Sequence, residues 1–140
     1  MISISFEHEL DYLRDSLTGD PFPGLWIVVR NVAGNREIEV QAHVDSGTER
    51  SLLDGQIARA LGLDLSTGNI QLFRSATGAE LVSRLHRVVL AHDSLGVNEL
   101  MIAFSETRLT RNLLGRDFFN LFQIGFRERR SKILIAAEEK

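Results

Sequence analysis

Glu37-Ile38-Glu39-Val40-Gln41-Ala42-His43-Val44 runs directly into Asp45-Ser46-Gly47-Thr48, and the reading of that junction decides the fold. Ile38, Val40, Ala42 and Val44 alternate with polar residues, which predicts a strand over 37–44 with one buried face. The strand ends on an acid. A carboxylate at the end of a buried strand is costly unless hydrogen bonds or a function hold it there. Ser46 and Thr48 supply hydroxyl donors, and Gly47 lets backbone approach backbone. Taken alone, Asp-Ser-Gly is also the composition of an ordinary turn.

A second stretch changes that balance. Far downstream stands Asn112-Leu113-Leu114-Gly115-Arg116-Asp117-Phe118-Phe119. The pair resembles the two signatures of the retropepsin-like aspartic proteases, the family of the retroviral proteases and their cellular and bacterial relatives. In that family Asp-(Thr/Ser)-Gly-(Ala/Thr/Ser) carries the catalytic acid. A hydrophobic-hydrophobic-Gly-Arg-(Asp/Asn)-hydrophobic-hydrophobic block lies near the C-terminus, and 113–119 fits it at every position. Two motifs in the right order are far more specific than either alone.

Around these motifs the chain reads mostly as β. A β-rich run over 25–32 turns at Ala33-Gly34-Asn35 into the 37–44 strand. A short strand over 51–53 leads to Asp54, which is placed to cap a helix carrying Ile57, Ala58 and Leu61, with Gly62 as its stop. Strands over 69–75 and 80–92 flank Ala76-Thr77-Gly78-Ala79, and 97–104 follows as another strand. Asp117 is placed to cap a short helix through Phe122, and strands over 123–126 and 132–135 close the chain as a hairpin. Arg127, Arg129, Arg130 and Lys132 fall at that hairpin's tip. Upstream, Phe6, Leu10, Leu13 and Leu17 recur at helical spacing among acidic residues and predict an N-terminal amphipathic helix, ended by 18–24 with both prolines. The expected organisation is an N-terminal helix and linker over 1–24 and a protease-like domain over 25–140.

Composition narrows the function classes. The 140 residues are 44% hydrophobic and 25% charged, values of a globular chain with a real core. A net charge of −3 gives no support to nucleic-acid binding. There is no cysteine, so disulfides and thiolate chemistry are excluded. The N-terminus lacks the pattern of a secretory signal, and no apolar run approaches the about 18 residues of a membrane helix, so a cytoplasmic protein is expected. His43-x-Asp45 has no third metal ligand at a recognisable spacing, and Ser46 and Ser51 lack a Gly-x-Ser-x-Gly elbow. Structural or solvent-facing roles are expected for His8, His43, His86 and His92.

The resemblance implies more than the residues alone. It implies a small closed β barrel with a flap hairpin and two short helices; the N-terminal helix expected from the spacing is extra to it and lies outside the resemblance. Asp45 would be the catalytic acid and base, with Ser46, Gly47 and Thr48 forming its loop. With one Asp-Ser-Gly per chain, the family's solution is a homodimer in which two such acids meet at the two-fold axis. Ser46 would hydrogen-bond across that axis. Gly115 would let the downstream block pack under the loop, Arg116 would pair with Glu49, and Asp117 would support them. Ala76, Thr77 and Gly78 would cover the substrate, an extended polypeptide whose side chains enter apolar pockets. The implied reaction is hydrolysis by an activated water, with no metal or cofactor. The alternative is an inactive relative that binds peptides or dimerises without cleaving.

Overall fold

Apolar residues at every second position make most of the chain strand. The computed structural model describes residues 1–137. In chain order the elements are β1 (His8–Asp11), β2 (Leu13–Arg14), β3 (Pro21–Phe22), β4 (Gly24–Asn31), β5 (Glu37–Val44), β6 (Leu52–Asp54), α1 (Gly55–Ala60), β7 (Asn69–Arg74), β8 (Glu80–His92), β9 (Gly96–Ser105), β10 (Asn112–Leu114), α2 (Arg116–Phe119), β11 (Phe122–Arg127) and β12 (Lys132–Ala137). Single 3-10 turns lie at Leu65–Thr67 and Glu128–Arg130.

The expected barrel is present. Strands β4-β5-β10-β6-β9-β8 form a ring that closes by pairing β8 back onto β4. Closure removes the open edges that would otherwise template aggregation. The interior is filled from alternate positions: Ile27 and Val29 of β4, Val40, Ala42 and Val44 of β5, Val88 and Leu90 of β8, and Ile102 and Phe104 of β9 are all buried. β7 lies outside the ring, paired only to the first half of β8. That hairpin therefore projects beyond the barrel and ends in an exposed turn at Gly78, whose φ of +86° suits glycine.

Two pairings in the ring are parallel: β5 with β10, and β6 with β9. The first sets Leu113 opposite His43 and Leu114 opposite Val44, so both strands end at the same level. β10 also lies between β5 and β6. The chain thus leaves β5, passes over the end of β10 and returns as β6 on its other side. α1 follows at once, its N-terminus capped by the Asp54 carboxylate accepting the Gln56 N–H at 2.8 Å.

The N-terminal segment corrects the expectation of a helix. Residues 8–11 form β1, antiparallel to β12 in a three-stranded sheet of order β1-β12-β11, and β2 pairs with β3 as a small hairpin. The physical reason is in the same residues. Phe6, His8, Leu10 and Tyr12 are the shielded positions, while Glu7, Glu9 and Asp11 face water. That alternation is a strand pattern, and the helical spacing of Leu10, Leu13 and Leu17 competes with it. A partner strand with a ladder of hydrogen bonds decides between the two, since an isolated short helix is marginal in water. Tyr12 fixes the segment: its ring is buried and its hydroxyl donates to Glu128 Oε1 at 2.9 Å. Burial, with that bond to an acid, pushes its pKa up to about 12. Leu17, which a helix would place on the apolar stripe, is 93% exposed.

Truncation at these two positions separates the strand from the helix. Tyr12→Ala is expected to lower the unfolding free energy by about 3 kcal/mol, whereas Leu17→Ala changes it by less than about 0.5 kcal/mol. Denaturant titration of the two variants measures both. Comparable losses at the two positions would restore the helical stripe.

Candidate active site

The level ends of β5 and β10 bring the two sequence motifs into contact. The Asp45 N–H donates to Leu114 O at 2.9 Å, so the acid begins where the ladder stops. Its carboxylate is half-buried, and Oδ1 accepts the Gly47 N–H at 2.8 Å. This Asx-type turn orients the carboxylate with backbone rather than with a flexible side chain. Ser46 and Gly47 are exposed, and Thr48 tucks its hydroxyl onto Arg50 O at 3.0 Å.

The downstream block passes beneath this loop. The Arg116 N–H donates to Thr48 O at 2.9 Å and the Asp117 N–H to Glu49 O at 3.3 Å. Gly115 sits so close that a Cβ there would lie 2.7 Å from Arg50 C and 2.8 Å from both Arg50 O and Thr48 O. All three are backbone atoms, which cannot swing aside as a side chain can. Only glycine fits.

A residue whose role the sequence reading passed over holds the block in place. Ser51 is fully buried. Its Oγ donates to Asp117 Oδ1 at 2.6 Å and accepts the Gly115 N–H at 3.0 Å. Its N–H is shared between the two Asp117 oxygens at 2.9 and 3.0 Å. Asp117 is therefore not the helix cap it was expected to be. The N-cap position of α2 is Gly115, with no side-chain cap, and the helix ends at Phe119 rather than Phe122. The Asp117 carboxylate is turned back to Ser51 because a buried serine and its amide need an acceptor more than an exposed helix end does. The only trace in the sequence is a serine opening the apolar 51–53 run.

The expected ion pair between Arg116 and Glu49 is also corrected. Both side chains are exposed, and among the described residues no ion pair joins them. Instead both line one shallow cavity with Arg50, Asp117 and Asn120. An exposed pair repays its side-chain entropy poorly, so the backbone bonds to Thr48 and Glu49 do the joining.

Opposite the loop stands the β7–β8 hairpin. A cavity of about 380 Å³ is bounded by Gly47, Thr48, Glu49 and Arg50 on one side and by 71–74 of β7 on the other. Ala76, Thr77 and Gly78 lie past its edge, fully in solvent, where Ser75 Oγ and Thr77 Oγ1 approach to 2.8 Å. The hairpin is thus on the loop's side of the molecule, with its strand rather than its tip over the cavity. On the other flank His43, two residues before Asp45, stacks on Phe22 with ring centres 4.0 Å apart.

Comparison with known proteins agrees with this geometry. A family model described as aspartyl protease matches residues 31–118, more than half of the chain, including the first motif and all of the second but Phe119. Among solved structures, the chain is similar to a retropepsin-like aspartic protease from Rickettsia conorii, with 20% identity, a TM-score of 0.62 and 98% of each chain covered. It is also similar to EIAV protease complexed with the inhibitor HBY-793, at 13% identity and a TM-score of 0.53, covering 77% of this chain and 92% of that one. At such identities the likeness is one of fold. No curated protein matches it.

Two measurements test the site's construction. Ser51→Ala leaves the buried Gly115 N–H without an acceptor and is expected to cost about 2 kcal/mol; a loss below about 0.5 kcal/mol in denaturant titration would mean the serine holds nothing. The second concerns pH. Burial and then the charge of Arg111 hold His43 below the usual imidazole range, against the pull of Asp15 and Asp45, and burial does the same to His92. A folded pKa below the unfolded one means that the unfolded chain takes up protons first as pH falls. Stability is therefore complete above the unfolded value of about 6.5 and is lost as pH drops through the folded values. Between about pH 7.5 and pH 5 the His43→Gln, His92→Gln double variant should lose less stability than the wild type, whatever its absolute stability. An equal slope would overturn the assignment.

Proposed function

This chain belongs to the aspartyl protease family, and on that premise we propose that it cleaves extended polypeptides as a homodimeric endopeptidase, with Asp45 of each copy supplying one of two catalytic carboxylates. The observation that carries the reading is the position of Asp45. It stands at the level end of two parallel strands, its backbone tied to Leu114, its carboxylate steadied by Gly47, beside a cavity roofed by a projecting hairpin.

The chemistry explains why a second copy is needed. Two carboxylates brought within reach of each other cannot both ionise easily, so the pair keeps one proton between them. The ionised partner takes a proton from the attacking water while the protonated one polarises the scissile carbonyl. Neither a covalent intermediate nor a metal enters this scheme. One chain contributes one such acid. Its partner has to come across a two-fold axis at the Asp45 loops, where Ser46 is exposed and free to donate. β11 offers a further place for a second copy: among the described residues it pairs with β12 alone, and an unpaired strand edge templates another chain.

The roles of the other residues follow. Gly47 and Thr48 hold the loop; Gly115, Asp117 and the backbones of Arg116 and Glu49 support it from beneath. The hairpin bearing Ala76, Thr77 and Gly78 covers a substrate laid along the cavity, where an extended peptide can pair its backbone with strand edges.

Asp45→Asn tests the proposal, since it exchanges a carboxylate for an amide of the same shape. Wild type and variant are given an unfolded protein from acid to neutral pH, at a concentration that favours dimers. Wild-type cleavage with loss of essentially all activity in the variant is the expected result. Cleavage that persists in the variant removes Asp45 from the chemistry. If neither protein cleaves and both are dimeric, the chain is a peptide-binding or dimerisation module instead.

A further inference from the structure

A second cavity, of about 770 Å³, lies on the other flank of the Asp45 loop. One wall is the outer face of β5, where Gln41 and His43 stand four and two residues before Asp45. The facing wall is the connection 108–112, which enters β10 in parallel register with β5, Asn112 against Ala42. Arg111 therefore runs alongside Gln41 and His43, near enough that its charge and that of Asp45 both act on the imidazole.

The charges lining this space are not balanced in what they have left to offer. Both of its acids accept from backbone, Asp54 through both oxygens and Asp15 through Oδ1 alone. Asp15 Oδ1 accepts the N–H groups of Leu17 and Thr18 at 2.8 and 3.0 Å. The two Asp54 oxygens accept from Gln56 and Leu109, each at 2.8 Å. Its two cations are not occupied. Arg108 and Arg111 are exposed and, like most cations among the described residues, in no ion pair; what sets them apart is that both line this one cavity. Two unpaired guanidinium forks open on one cavity, and a fork of this kind matches a carboxylate with two parallel hydrogen bonds.

We propose that this cavity is a specificity pocket that reads an acidic side chain of the substrate close to the cleaved bond, with Arg108 and Arg111 as the reading residues. The inference rests on the peptidase reading of Asp45 and departs from the apolar pockets that the resemblance implied. An extended peptide crossing the Asp45 loop presents alternate side chains to one face. One of them would enter between His43 and Arg111, where its carboxylate replaces water on the two guanidinium groups. Trp26, the single tryptophan, is half-exposed in the same wall and would report the occupant.

The test has two arms. In the first, wild type digests a mixed library of amidated peptides above about pH 5, where glutamate is ionised and no terminal carboxylate competes. Cleaved bonds are expected to carry Asp or Glu enriched at one fixed position. A matched pair with Glu or Gln there should differ in kcat/KM by about tenfold or more. That ratio should fall towards one in Arg108→Gln, Arg111→Gln and be partly kept in Arg108→Lys, Arg111→Lys. Cleavage without acidic preference, or a preference unchanged in the Gln variant, overturns the pocket and leaves the peptidase reading intact. In the second arm the same two peptides are titrated into Asp45→Asn protein and followed by Trp26 fluorescence. Tighter binding of the Glu peptide supports the pocket even if no protein cleaves, an outcome that would remove only the peptidase reading. Equal binding overturns the pocket.

Discussion

The parallel pairing of β5 with β10 is the constraint on which the rest of the molecule depends. It is only three residue pairs long, from Asn112 against Ala42 to Leu114 against Val44. Yet it joins positions some seventy residues apart and ends both strands at one level. Parallel neighbours cannot be linked by a tight turn, so the intervening chain has to travel. Here it builds α1, the projecting β7–β8 hairpin and β9 on the way. The hairpin wall facing the Asp45 loop is what that long connection returns with.

The loop that crosses the end of β10 creates a packing problem and solves it with few atoms. Backbone meets backbone at Gly115, which leaves the buried N–H groups of Gly115 and Ser51 in need of acceptors. Ser51 and Asp117 supply them through four hydrogen bonds between 2.6 and 3.0 Å. A network of this kind is stabilising only when complete, because a buried group without a partner costs more than a made bond returns. Its completeness keeps the floor under Asp45 rigid while Asp45 itself stays half in solvent. Among the described residues no buried side-chain nitrogen or oxygen lacks a partner.

The two ends of the described chain come together on another part of the surface. β1 lies on β12, tied by Tyr12 to Glu128 and by Lys132 to Asp11, so the N-terminal strand is spent within its own chain. Among the described residues β11 keeps one edge unpaired, and the Asp45 loop keeps its face open. Charge follows the same division of labour. Among the described residues four cations are matched to acids, and Arg108 and Arg111 beside the Asp45 loop are not. An unpaired arginine in a cavity is kept available for something outside the chain or contributes nothing, and its position near the acid favours the former.

Some of this was determined by the sequence alone. Alternation at 37–44 and 80–92, the glycine turns at 33–35 and 76–79, and the cap at Asp54 are local signals, because each depends on neighbours in the chain. The two motifs identified the family for the same reason: the glycine and acid types at those positions answer demands of backbone geometry that leave few substitutes. What the tertiary structure decided were the choices that local signals leave balanced. The 6–17 segment carries both a strand and a helix pattern, and only β12 breaks the tie. Asp117 can cap a helix or bond a serine, and only the burial of Ser51 selects. Arg116 and Glu49 can pair or stand apart, and solvent, which makes an exposed pair nearly worthless, lets them stand apart. The physical reason is common to all three. Hydrogen-bond partners and burial are supplied by residues distant in sequence, and they outweigh propensities worth a fraction of a kcal/mol, which are all that neighbouring residues contribute.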